Sequence, residues 1–259
     1  MEHMSHKVEG IKYNQTQHLD LYLQEQPGRP LIICLHGGGF ISGSRDDERC
    51  SQSAKFLTDA GYNCASVSYS LAPAENRFQM WPRNLFDVAD AMVFLNSQSS
   101  RFGYDFARLA MLGFSAGCCL SNLYIHGGKT LFEEFGYATP VFDPVALIGF
   151  YGPYDFPSRQ PERRSEDESL NIKHSPSHWF KRNNRNFPPV LHIQGKDDVI
   201  VYPDQHEMFK SDYLKNGYSF ASLLLEGFGH SFSPLDSNAS GTEIDTRGNI
   251  LEFLSKYVD

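Results

Sequence analysis

Basic residues are scarce in this chain: 23 Lys and Arg stand against 31 Asp and Glu, a formal net charge of −8. Nucleic acid and anionic membranes both demand clustered Lys and Arg, so neither is expected as a partner. The densest basic run, PERRSEDE at 161–168, carries its own acids and reads as a solvated loop. Paired cysteines are also missing. The five present (34, 50, 64, 118, 119) are odd in number and form no CxxC. Cys34 and Cys64 lie in apolar runs, where a free thiol behaves as a small hydrophobe. That usage predicts a reducing compartment without disulfides. The N-terminal MEHMSHKVEGIKYNQ has no apolar stretch for a signal peptide, and no run approaches the length of a membrane span. A soluble, cytoplasmic protein is the expectation. HExxH, Cys/His ligand spacings and G-x-G-x-x-G are absent, and no Lys-Ser/Thr follows the three glycines at 37–39, so neither a metal nor a nucleotide cofactor is expected.

What is present is apolar and alternating. Hydrophobic residues make up 41% and aromatics 14% of 259 residues, enough for a substantial core. HLDLYL at 18–23 has the two-residue period of a half-buried strand, and PLIICLHGGGF is a continuous apolar strand that stops at three glycines. Residues 47–60 carry a helical pattern ending before Gly61. YNCASVSY at 62–69 predicts a strand. Leu85, Val88, Ala89, Met92, Val93 and Leu95 place an amphipathic helix over 83–96. Further strands are predicted in ARLAMLGF, PVALIGFYG, PPVLHIQG and FASLLLEGFG, and helices over 115–126, 203–216 and 242–258. This alternation predicts an α/β fold, a mostly parallel sheet with helices on both faces, in one domain over 1–259. Residues 152–188 lack periodicity and are read as a lid or mobile insertion.

The residues that could carry chemistry all follow strands, where parallel sheets bind ligands. Gly113-Phe114-Ser115-Ala116-Gly117 sits between a strand and a helix. A serine hydroxyl is a useful nucleophile only when fixed and exposed beside a base, which such a turn supplies. His36-Gly37-Gly38-Gly39-Phe40 ends an earlier strand. Glycines there free backbone N–H groups to face a developing oxyanion, and His36 is read as a brace for the loop. HIQGKDD offers two carboxylates, Asp197 and Asp198, and EGFGHSF offers His230, in the order acid then histidine. His126, His174, His178, His192 and His206 lack that combination of order and loop context.

Together HGGGF (36–40), VSYSLAP (67–73), GFSAG (113–117), SP (175–176), PPVLHIQGKDD (188–198) and GFGHSF (227–232) resemble the α/β-hydrolases of the hormone-sensitive-lipase-like type, nearer the compact acetyl-esterase and feruloyl-esterase-like branch. The resemblance implies an α/β-hydrolase fold with little or no N-terminal cap. It implies a serine carboxylesterase acting on small-molecule, short-chain acyl esters without a cofactor. Ser115 would be the nucleophile and His230 the base. In the family the acid is commonly followed three positions later by an apolar residue, usually valine; Val201 fits that frame and favours Asp198 over Asp197. The N–H groups of Gly38, Gly39 and Ala116 would form the oxyanion hole. Phe40, Tyr151, Trp179 and Phe228 are candidate pocket walls, with residues 152–188 and 127–144 as the available cover. Cys118 stands where relatives often carry glycine. An amidase or formamidase using the same triad, and a non-catalytic ligand-binding protein, are the alternatives; an uncapped site could also be covered by a partner subunit.

Overall fold

The computed structural model describes residues 5–259. The chain opens on β1 (Ser5–Lys12), β2 (His18–Gln24) and β3 (Arg29–Leu35), followed by α1 (Glu48–Asp59) and β4 (Asn63–Val67). Next come α2 (Arg83–Phe102), β5 (Tyr104–Phe114), α3 (Ala116–Glu134) and β6 (Ala146–Phe150). Two short helices, α4 (Glu168–Lys173) and α5 (Pro176–Arg182), precede β7 (Val190–Gly195), α6 (Pro203–Lys215) and β8 (Phe220–Leu225). A small hairpin of β9 (Leu235–Ser237) and β10 (Glu243–Asp245) leads into α7 (Arg247–Tyr257).

Eight strands form one sheet in the order β1-β2-β4-β3-β5-β6-β7-β8. The strands from β4 to β8 in that order pair in parallel, while β1 and β2 add antiparallel strands at one edge. Successive side chains of a strand point to opposite faces, so a strand covered on both sides must be apolar throughout. β3 shows this directly. Leu31, Ile33 and Leu35 join the core that includes Leu85 and Met92 of α2 and Leu120 of α3, whereas Ile32 and Cys34 join Cys50 and Leu57 of α1 and Ile250 of α7. The six parallel strands β3 to β8 thus deliver their carboxyl ends to one edge.

The elements differ from the sequence-based expectations at a few places. β1 has no strand signal in the sequence: its SHKVEGIK is polar, and Gly10, at φ 64°, interrupts the alternation where the pairing with β2 shifts register. The helix expected over 115–126 runs to Glu134 across a break at Gly128. The one expected over 242–258 starts at Arg247, because Glu243–Asp245 pairs with Leu235–Ser237 instead. Among the described residues no helix is long and apolar enough to cross a membrane.

Burial of histidines gives this fold an acid sensitivity. His36 is pushed down to about 4, and His126 and His174 to about 3, in each case mainly by burial, so all three are neutral in the folded chain. Once unfolded they take up protons below about 6.5. The unfolded state then binds more protons than the native one, so stability falls as the pH drops below that value. At pH 5 each of the three is expected to cost about 2 kcal/mol relative to pH 8. Urea unfolding at the two pH values should give a markedly lower midpoint at pH 5; equal midpoints would refute this account.

Candidate active site

Ser115 lies between β5 and α3 with φ 50° and ψ −112°, a backbone conformation that non-glycine residues rarely occupy. The surrounding contacts hold it there. Its N–H donates to Phe150 O at 2.9 Å, and its own carbonyl accepts from Cys119 N at 3.0 Å. The flanking glycines are required by space. A Cβ on Gly113 would come within 2.6 Å of Cys118 Cα, and one on Gly117 would strike the carbonyl oxygens of Leu35 and His36. The helix therefore packs directly on the strands at this turn, and the serine projects from the tip.

His230 Nε2 is 2.9 Å from Ser115 Oγ, and its Nδ1 is 2.7 Å from Asp198 Oδ2. A carboxylate oxygen only accepts, so Nδ1 carries the proton and Nε2 is left as the acceptor for the serine hydroxyl. Asp198 is buried and fully committed. Its Oδ1 accepts from Ile200 N at 2.8 Å and Val201 N at 2.9 Å, and its Oδ2 also accepts from Gln194 Nε2 at 3.0 Å. Asp197 is exposed, and its backbone N–H donates to Phe228 O. The chain therefore brings Asp198 to His230, and leaves Asp197 pointing away. Gln194, inside β7, goes unmarked in the sequence, because an amide within an apolar strand gives no directional signal.

The glycine loop after β3 folds through positive φ at Gly38 (106°), Gly39 (60°) and Phe40 (68°). Gly38 O accepts from Ile41 N and Ser42 N, both at 3.1 Å, which closes the loop on itself. Among the described residues, the N–H groups of Gly38, Gly39 and Ala116 have no acceptor within the chain. His36 is buried beneath, its ring stacked on Tyr69 at 4.1 Å. His36 Nδ1 donates to Gly37 O at 2.7 Å, and Tyr69 OH donates to His36 O at 2.8 Å. This histidine braces the loop and does not face Ser115.

A cavity of about 290 Å³ opens over Ser115 and His230, at the small end of the range for ligand sites. Of the aromatic candidates, Phe40 and Tyr151 line it, and the Tyr151 ring meets His230 edge-on at 4.6 Å. Trp179 and Phe228 do not. Trp179 is wholly buried in the core with Nε1 donating to Lys173 O at 2.8 Å, and Phe228 packs against Phe232. Further walls come from Arg49 and Arg77, from Pro153, Arg159 and Arg163, and from Ile200 and Val201. No residue of 127–144 reaches the cavity. Arg163 corrects the reading of PERRSEDE: Arg163, Arg164 and Ser165 are half-buried within that run, and Arg163 lines the cavity. Among the described residues no group of three or more His, Cys, Asp and Glu is arranged to hold a metal.

Cys118 and Cys119 are fully buried on α3. Burial pushes the Cys118 thiol up to about 12 and that of Cys119 well above its ordinary range, so neither supplies a thiolate near neutrality. The larger side chain at 118 is accommodated by missing ones opposite. A Cβ on Gly152 would land on Cys118 Sγ and Cβ, and one on Gly149 would lie 2.7 Å from Sγ. Gly152→Ala is therefore expected to destabilise the protein by about 1–3 kcal/mol through overpacking. Adding Cys118→Gly should recover part of that loss, read as coupling in a chemical-denaturation double-mutant cycle. Strictly additive effects would mean that Cys118 is not the obstructing group.

Residues 19–213 match the BD-FAE family. Esterase LipC of Mycobacterium tuberculosis is 29% identical over 231 residues, covering 82% of this chain, which spans only 55% of that relative. Among solved structures, a truncated form of a carbohydrate esterase from gut microbiota superposes with a TM-score of 0.79 at 18% identity, covering 98% of this chain and 97% of the other. MGS-M1, an α/β-hydrolase enzyme from a Medee basin deep-sea metagenome library, superposes with a TM-score of 0.70 at 18% identity, covering 99% and 96%. At those identities the structural likeness speaks to the fold, and it is that of an α/β-hydrolase. The family match extends over most of the sequence, from β2 into α6, and takes in both the glycine loop and the serine turn: the chain belongs to the BD-FAE family of α/β-hydrolases.

Proposed function

We propose that this protein is a serine carboxylesterase that hydrolyses small, short-chain acyl esters. The observation that carries the reading is His230, which lies within hydrogen-bond distance of Ser115 Oγ on one side and Asp198 on the other. Ser115 Oγ attacks the ester carbonyl while His230 Nε2 takes its proton, and Asp198 stabilises the imidazolium that results. The tetrahedral oxyanion is received by the N–H groups of Gly38, Gly39 and Ala116. His230 then passes the proton to the leaving alcohol, and a water activated by the same imidazole frees the acid. Every step uses side chains and backbone of this chain and water. Family membership and the name of the LipC relative agree with ester hydrolysis. Residues 152–188 act in this scheme as the cover of the site within a single domain over 1–259, since Pro153, Arg159 and Arg163 wall the cavity.

The size of the cavity sets the acyl chain. Along a series of para-nitrophenyl esters, kcat/KM is expected to be highest for acetyl to butyryl and to drop at least roughly tenfold by octanoyl, since a crowded chain forfeits its binding contribution. A flat or rising profile would contradict the short-chain assignment. Stoichiometric labelling of Ser115 by a fluorophosphonate, located by peptide mass spectrometry, tests the nucleophile independently of substrate.

A further inference from the structure

The chain as a whole is acidic, yet the cavity over Ser115 is lined by four arginines, Arg49, Arg77, Arg159 and Arg163, and by no Asp or Glu. Arg49 is 3.6 Å from Asp47. Among the described residues, the other three form no ion pair with any carboxylate. Arg159 is only 9% exposed. Its Nη2 donates to Ile200 O at 2.9 Å, its guanidinium lies 5.2 Å from the Phe156 ring centre, and its Nε has no partner. The buried Nε of Arg163 has none either. Burial, followed by mutual repulsion, lowers both Arg77 and Arg159, the latter to about 10. Asp198, the acid whose charge reaches Arg159, is already bound to His230. Glu75, Glu162 and Glu166 line a different cleft, which Arg77 also borders, and form no ion pair there.

Burying an unpaired charge is costly, and three like charges around one small cavity compound the cost. Packing does not require it, because the stems could be replaced by apolar side chains. A guanidinium fork suits an oxyanion, which it binds through paired N–H donors. We infer that the substrate is an anionic ester, whose carboxylate or phosphate group is held by Arg77, Arg159 and Arg163 while its acyl carbonyl lies at Ser115. The inference rests on the esterase reading and narrows its substrate class. The reaction is unchanged: the acyl–oxygen bond breaks, water supplies the hydroxyl to the acyl group, and its proton goes to the alcohol.

Two matched pairs test it and separate the two anion sources. Mono-para-nitrophenyl succinate is compared with para-nitrophenyl butyrate, and para-acetoxyphenyl phosphate with phenyl acetate. At least one anionic member is expected to exceed its neutral partner in kcat/KM by roughly tenfold or more, the scale of a charge-assisted hydrogen bond. That ratio should shrink with added salt and collapse toward one in Arg77→Gln and Arg163→Gln, with the change mainly in KM. Free succinate or inorganic phosphate should compete with the favoured ester. Neutral esters hydrolysed as well as or better than both anionic ones would overturn the inference and leave the esterase reading intact. So would an equal loss on both members of a pair in Arg77→Gln, which would assign that arginine to the oxyanion of every ester. If neither member of either pair is hydrolysed, or the Ser115→Ala variant hydrolyses them all as wild type does, the esterase reading fails and the inference fails with it.

Discussion

Ser115→Ala is expected to lower ester hydrolysis by at least roughly 10⁴-fold while leaving the thermal midpoint within a few degrees of wild type. The loss should be this large because nothing nearby can replace the hydroxyl. Cys118 and Cys119 follow in sequence but lie buried inside α3, with thiols that burial keeps protonated. The fold should tolerate the change because Ser115 is positioned by its backbone, through Phe150 O and Cys119 N, and the missing side-chain bond to His230 is part-buried rather than in the core. Residual turnover should reflect the free N–H groups of the glycine loop and Ala116 acting on bound ester with water as nucleophile. Steady-state rates on an activated acetyl ester, with circular dichroism to verify folding, decide the matter. A variant within tenfold of wild type would remove Ser115 from the chemistry.

The serine, the histidine and the glycine loop were legible in the sequence for one shared reason. Each sits in a short, glycine-flanked segment immediately after an apolar strand, and the parallel arrangement gathers the ends of such strands at one edge. Space constraints at Gly113 and Gly117 leave little freedom in how that turn is built, so local sequence and tertiary structure agree there. The arginines were hidden by the opposite circumstance. Arg159 and Arg163 lie in a polar, acid-laced stretch whose composition is that of a solvated loop, and only the packing of Phe156 and the seating of Arg159 Nη2 on Ile200 O turn it inward. Trp179 and Phe228 show the same limit for apolar side chains: an aromatic in a segment without clear periodicity satisfies core and pocket equally in one dimension. Direction is set by how neighbouring elements pack, as with the carbonyl of Lys173 at the end of α4, which ties down the Trp179 indole on α5.

The second large effect distinguishes two adjacent carboxylates. Asp198→Asn is expected to reduce kcat by about 10³–10⁴-fold with little change in KM, whereas Asp197→Asn should stay within about twofold of wild type. The size follows from the hydrogen-bond pattern rather than from charge alone. Oδ1 of Asp198 accepts two backbone N–H groups, from Ile200 and Val201, so an asparagine must place its oxygen there. Its NH₂ group then takes the place of Oδ2 and faces His230 Nδ1, which is now forced to accept. The proton moves to Nε2, and the imidazole presents a donor to Ser115 Oγ where a base is needed. Rotation of the introduced amide cannot restore the arrangement without setting donor against donor at the Ile200 and Val201 amides. Gln194, whose Nε2 contacts the same Oδ2 and whose Oε1 is unpartnered, could turn to accept from the new NH₂, which would lock in the wrong tautomer rather than relieve it. Asp197 has no such role, being exposed and held through its backbone to Phe228 O. Rates for both variants on one ester, measured side by side, give the answer. A severe Asp197→Asn beside a mild Asp198→Asn would mean that the imidazole is oriented by a different acid from the one 2.7 Å from its Nδ1.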